Sequence, residues 1–130
     1  MAKYVYPAIF ERDEDSISVS FPDLPGCNSF GKDTADAYEM AADALALFLY
    51  QYEEDGKTIP CPSEPEQISA QEGAFVSLVS CDTIVYRQRH DNKLINKTVT
   101  IESWLNKLAV KAGLNCSKLL RDAIKRELGI

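Results

Sequence analysis

At 130 residues, with 45% hydrophobic and 26% charged side chains, the chain has the make-up of one globular domain or two small ones, and global disorder is excluded. No apolar run approaches the ~18 residues a membrane helix needs, and Met1-Ala2-Lys3-Tyr4-Val5-Tyr6-Pro7 lacks a signal-peptide core, so no membrane partner and a cytoplasmic location are expected. The net charge of −6 conceals a division: residues 1–82 hold 16 acidic and 4 basic side chains, net −12, whereas residues 83–130 hold 4 acidic and 10 basic, net +6.

Residues 3–10 are rich in Tyr, Val, Ile and Phe and predict a strand. A charged turn, Glu11-Arg12-Asp13-Glu14-Asp15, follows. Ser16-Ile17-Ser18-Val19-Ser20-Phe21 then alternates polar and apolar residues, which predicts a half-buried strand returning as a hairpin. Pro22-Asp23-Leu24-Pro25-Gly26 interrupts the ladder, and residues 27–31 make a short third strand. A helix is expected from its N-cap at Thr34, with an apolar stripe running from Ala37 through Leu45 and Leu49 to Tyr52 and a stop at Gly56. Its last turn carries three acids, Glu53, Glu54 and Asp55, which oppose the helix dipole. Residues 58–73, with three prolines, predict a surface loop. Ala74-Phe75-Val76-Ser77-Leu78-Val79-Ser80 predicts the most buried strand, continued after a kink through residues 82–86.

Residues 88–93 contain no large apolar side chain and mark the expected linker between a domain at 1–87 and another at 94–130. In the second, Asn96-Lys97-Thr98-Val99-Thr100-Ile101 predicts a short strand and two helices follow, separated by Ala112-Gly113-Leu114-Asn115. Alternation turns Val99 and Ile101 to one side and Asn96, Thr98 and Thr100 to the other. Val99 and Ile101 can share a core with Trp104, Leu105 and Leu108 of the first helix and Leu119, Leu120 and Ile124 of the second. A strand and two helices in about 35 residues is too little chain to close a core, because domains below about 40 residues need a partner, metal or disulfide. A two-fold homodimer that pairs the two strands supplies both the core and the missing edge.

A two-stranded ribbon fits the DNA major groove. Asn96, Thr98 and Thr100 are therefore the expected base-contacting residues, since asparagine pairs with adenine edges and threonine offers a hydroxyl and a methyl. Lys97 is expected at phosphate, as are Asn115, Cys116, Ser117 and Lys118, where a helix N-terminus presents free N–H groups.

Residues 96–128 resemble a ribbon-helix-helix domain of the Arc and MetJ class of dimeric repressors. The N-terminal half resembles the HicB-type antitoxins, through Phe21-Pro22-Asp23-Leu24-Pro25-Gly26-Cys27, Gly31-Lys32-Asp33-Thr34, the helix over residues 37–49 and the exit Glu53-Glu54-Asp55-Gly56-Lys57-Thr58-Ile59-Pro60. The resemblance implies an α+β protein. Its N-terminal module would be a partial RNase H-like β-β-β-α-β unit that binds and neutralises a small basic HicA-type mRNA-cleaving ribonuclease toxin. Its C-terminal dimer would bind operator DNA to autorepress the operon, within a higher hetero-oligomer when toxin is bound. Asp23, Glu53, Glu54 and Asp55 are the acids expected against the basic toxin. The alternative is a stand-alone ribbon-helix-helix repressor whose acidic module senses a small ligand.

Catalysis is not expected. RNase H-like nucleases hold metal with carboxylates, one in the middle of the first strand, and residues 4–10 contain none. Cys27, Cys61, Cys81 and Cys116 form no close ligand pair, and the one histidine, His90, lies in a polar stretch. No catalytic residue, metal or cofactor is therefore assigned.

Overall fold

A computed structural model describes residues 3–130, which divide into two compact units on either side of the Lys93–Leu94 bond. Unit one is a four-stranded antiparallel sheet in the order β3-β2-β1-β4, with one long helix on a single face. Strand β1 (Lys3–Arg12) turns Tyr4, Tyr6, Ala8 and Phe10 toward the helix. Strand β2 (Ile17–Ser20) returns beside it, with Asp13 N–H bonded to the Ser16 carbonyl at 2.8 Å across the turn, and pairs Phe10 with Val19. That pairing begins at Ile9, so Pro7 lies beyond it, where its missing N–H leaves no gap in the β1–β2 ladder.

The turn from β2 to β3 (Asn28–Gly31) is held by Leu24 N–H to the Phe21 carbonyl and Cys27 N–H to the Leu24 carbonyl, both at 3.0 Å, with Leu24 fully buried. Gly31 then sits against the start of the helix. A Cβ there would lie 2.2 Å from the backbone nitrogen of Ala37, a space only glycine fits.

Helix α1 (Thr34–Glu54) is capped by Asp33 rather than Thr34: Asp33 Oδ1 accepts from Asp36 N–H at 2.8 Å, and Thr34 becomes the first helical residue. Asp36 in turn accepts from Lys32 N–H at 2.9 Å, fixing the entry from β3. Ala37, Ala41, Leu45 and Leu49 form the buried stripe that closes the core over Tyr6, Phe10, Val19 and Val79. The helix stops as expected at Gly56, whose φ of 66° lets its N–H reach the Glu53 carbonyl while Lys57 N–H reaches that of Tyr52. Residues 57–73 form the expected loop, with one 3-10 turn at Pro65–Gln67, and the Tyr6 hydroxyl anchors it by donating to the Pro60 carbonyl.

Two expectations fail here. Strand β4 (Ala74–Asp82) pairs with β1 along its length but is an edge strand, and Val79 is its one fully buried residue. It is not the most buried strand, because the helix covers one sheet face only and Val76 and Leu78 point from the other. The chain also does not continue as a strand to residue 86. Asp82 caps a helix, α2 (Thr83–His90), by accepting from Ile84 N–H at 2.9 Å. The expected linker at 88–93 is consequently helical as far as His90.

Unit two contains α3 (Ser103–Lys111) and α4 (Cys116–Leu128), joined through Gly113 at φ 70°. Residues 91–102 form no regular element, so the strand expected at 96–101 is not paired within the chain. Its backbone meets no mate among the described residues, and a ladder needs one.

Candidate partner-binding surfaces

The acidic end of α1 is wired into the fold. Glu53 is nearly buried, its side chain 8% exposed, and one oxygen accepts from the Tyr4 hydroxyl at 2.8 Å and from Thr83 Oγ1 at 3.0 Å. The other accepts from Arg87 Nη2 at 3.1 Å, while Arg87 Nη1 binds Glu54. The guanidinium carbon also lies 4.6 Å from the centre of the Tyr50 ring. One arginine on α2 thus spans both glutamates and clasps the short helix to the long one. Burial alone would raise the Glu53 pKa, but its hydrogen bonds, those from Tyr4, Arg87 and Thr83 among them, outweigh burial and lower it. The Tyr4 hydroxyl shifts the opposite way, to about 12, through burial and then its bond to Glu53.

Asp23 is likewise engaged. Its two oxygens accept from Ser63 N–H at 2.9 Å and Ser63 Oγ at 2.6 Å, pinning the long loop to the turn before β3. Of the four acids expected against a partner, Glu53 and Asp23 therefore serve internal contacts, Glu54 is shared with Arg87, and Asp55 faces solvent with Lys57 at 3.9 Å. The sequence offers no sign of this, because Arg87 lies 34 residues from Glu53, just past a segment that reads as strand.

Beside Asp55 a groove of about 580 Å³ runs between α1 and the turn into β3, floored by Cys27, Ala44, Leu47, Phe48 and Tyr52. No periodicity in the sequence marks it; it depends on where Gly26 and Cys27 meet the helix. Cys27 is buried and Cys81 partly buried; burial pushes the Cys27 thiol up to about 11, and burial with the charges of Asp82 and Glu53 pushes Cys81 up to about 12, so neither is poised as a thiolate. His90 ends α2 with its ring on Tyr86, centroids 4.3 Å apart. Among the described residues no cluster of three or more His, Cys, Asp or Glu could hold a metal ion, and no helix is long and apolar enough to cross a membrane.

In unit two, helix α4 begins at Asn115, whose side chain accepts from Lys118 N–H at 3.1 Å. Asn115 thus acts as a cap, and Cys116 and Ser117 follow it in the exposed first turn. Val99, Ile101, Trp104, Leu105, Leu108, Leu119 and Ile124 are all exposed, Trp104 by 63%, and Leu120 is half-buried. Asn96, Lys97, Thr98 and Thr100 are exposed on the irregular segment. Neither helix of the unit buries a single residue.

An acidic module with a helix-lined groove, joined to a basic helical pair whose apolar side chains find no cover, defines a two-module binding protein. The chain belongs to the HicB-like antitoxins of bacterial toxin–antitoxin systems: the model of that family matches residues 6–123. "Antitoxin HicB 2" of Photorhabdus laumondii is 43% identical over 58 residues, 45% of this chain and 42% of the relative, and a 14.9 kDa protein of Haemophilus phage HP1 is 33% identical over 63 residues, 48% and 47%. The matched stretch spans less than half the length of these curated relatives. Over 96% of this chain and 99% of its own, a chain of a toxin–antitoxin complex from Streptococcus pneumoniae has a similar structure, with 27% identity and a TM-score of 0.63. The N-terminal domain of the Burkholderia pseudomallei antitoxin HicB covers 58% of this chain and 95% of its own, at 25% identity and a TM-score of 0.51.

Proposed function

We propose that the chain neutralises a small basic HicA-type mRNA-cleaving ribonuclease through unit one, and that unit two dimerises and binds operator DNA to repress the operon. Family membership supports the first part, since similar structures include a chain of a toxin–antitoxin complex. The strand order β3-β2-β1-β4 with one covering helix supports reading unit one as a partial RNase H-like module. Domain one then runs through α2 to His90.

The observation that carries the second part is the uncovered apolar set of unit two. A unit of 37 residues without a buried side chain in either helix does not hold itself together, and a patch of that kind marks an interface. Pairing residues 96–101 of two copies antiparallel would bury Val99 and Ile101 with Trp104, Leu105, Leu108, Leu119, Leu120 and Ile124 in a ribbon-helix-helix core. It would leave Asn96, Thr98 and Thr100 outward toward base edges, with Lys97, Lys118 and the α4 N-terminus at Asn115, Cys116 and Ser117 near phosphate. Of the acids, Asp55 and the outward side of Glu54 would steer the toxin's approach.

Coexpression with a HicA-type toxin tests the first part: growth is restored and tagged chain retains the toxin. A gel shift on the chain's own operator tests the second. Thr98→Ala is expected to lose about 1–3 kcal/mol of discrimination, and unchanged operator binding refutes the strand assignment.

A further inference from the structure

The groove beside α1 has features the fold does not require. Leu47 is 46% exposed at its centre and Met40 43% exposed two turns earlier, on the same side of the helix. Glu39 and Asp43, four residues apart and exposed, lie on the side of these two away from the groove, and Asp55 closes the groove's far end. An open apolar strip bordered by acids is a costly surface for a lone domain to show to water.

The groove's end also holds a cation already. Lys57 Nζ lies 5.3 Å from the centre of the Tyr52 ring and 3.9 Å from Asp55 Oδ2. An aromatic face beside a carboxylate is a seat for an ammonium or guanidinium group. Lys57 is mostly exposed and bound only weakly there, so a better placed cation can displace it.

We infer that this groove seats a basic polypeptide partner: an aliphatic or aromatic anchor on Ala44, Leu47 and Phe48, and an Arg or Lys in the place of Lys57, on Tyr52 and Asp55. Charge complementarity chooses this occupant over a second copy of the chain. Residues 1–82 carry net −12, so two such faces repel, whereas a basic partner is drawn in. The inference rests on the toxin reading above and names the surface that reading would use. Specificity resides in the apolar anchor, and the acids set the rate of encounter.

The test measures binding of a purified HicA-type toxin to the full chain, wild type against Leu47→Glu and Asp55→Lys. Both side chains are exposed, so thermal midpoints are expected to stay unchanged; should Leu47→Glu fail to fold, Leu47→Ala replaces it. Leu47→Glu is expected to weaken binding at least about tenfold, as loss of a central anchor does. Asp55→Lys is expected to slow association and flatten its salt dependence. Toxin bound by Leu47→Glu as tightly as by wild type overturns the groove and leaves the antitoxin reading standing. Wild type that binds no toxin overturns that reading, and the groove proposal falls with it. Were Leu47→Glu to lower the sedimentation mass of the toxin-free chain while binding toxin normally, the occupant would be a second copy and the proposal would be wrong.

Discussion

Replacing Arg87 with Met removes the clasp between α1 and α2 while keeping most of the side chain's volume. The pair it forms with Glu53 is largely shielded, the two side chains being 21% and 8% exposed. Removing one partner of a buried ion pair costs about 3–5 kcal/mol where the other charge is left without compensation. Glu53 retains the Tyr4 and Thr83 donors, so the lower end of that range applies. The contact with half-exposed Glu54 adds less than about 1 kcal/mol. A loss of about 3–4 kcal/mol lowers the melting temperature of a unit this size by on the order of 20 °C. The two units can be followed separately, since all six tyrosines lie in unit one and the one tryptophan, Trp104, lies in unit two. Tyrosine circular dichroism is expected to move and Trp104 fluorescence to stay. The double variant Arg87→Met/Glu53→Gln is expected to be less unstable than the sum of its parts. A tyrosine-monitored shift below about 5 °C, or strict additivity, refutes the account of the clasp.

Gly31→Ala places a methyl group 2.2 Å from the Ala37 nitrogen and 2.5 Å from its Cα, backbone that cannot yield without moving α1; a loss of more than about 3 kcal/mol is expected by urea unfolding, well above an ordinary substitution. Glu53→Gln should show a definite pH signature. The folded-state pKa of Glu53 is depressed, so its contribution is complete above the ordinary glutamate value of about 4.3 and is lost as pH falls through the folded value. The gap in melting temperature between wild type and Glu53→Gln is therefore expected to be widest near neutrality and to close in acid.

Local pattern disclosed most of unit one. The hairpin followed from the alternation of Ile17 and Val19, and α1 from the stripe Ala37, Ala41, Leu45 and Leu49. The Asp33 cap was misread by one residue because Thr34 is also a good capping side chain, and the structure prefers the carboxylate that reaches Asp36 N–H. Helix α2 escaped notice since Thr83-Ile84-Val85 opens it with β-branched residues. Its signal was Asp82 before that run and Arg87, Arg89 and His90 in its last turn. Strand β4 looked central because an apolar run carries no information on whether both sheet faces are covered. The internal role of Glu53 and Glu54 was not legible for want of a partner nearby in sequence; Arg87 reaches them only through the fold. Exposure of Trp104, Leu108 and Leu119, by contrast, was foreshadowed by the small size of the C-terminal segment.

The irregular segment at 91–102 sets a leash between the first unit and helix α3. Twelve extended residues reach at most about 43 Å, but if residues 96–101 were drawn into a ribbon, the free chain would shrink to the five residues 91–95, at most about 18 Å. Pairing of the second unit would thus halve the radius in which the first can move. Two copies of the first unit tethered to one such pair would be confined to a small volume, each raising the local concentration of the other.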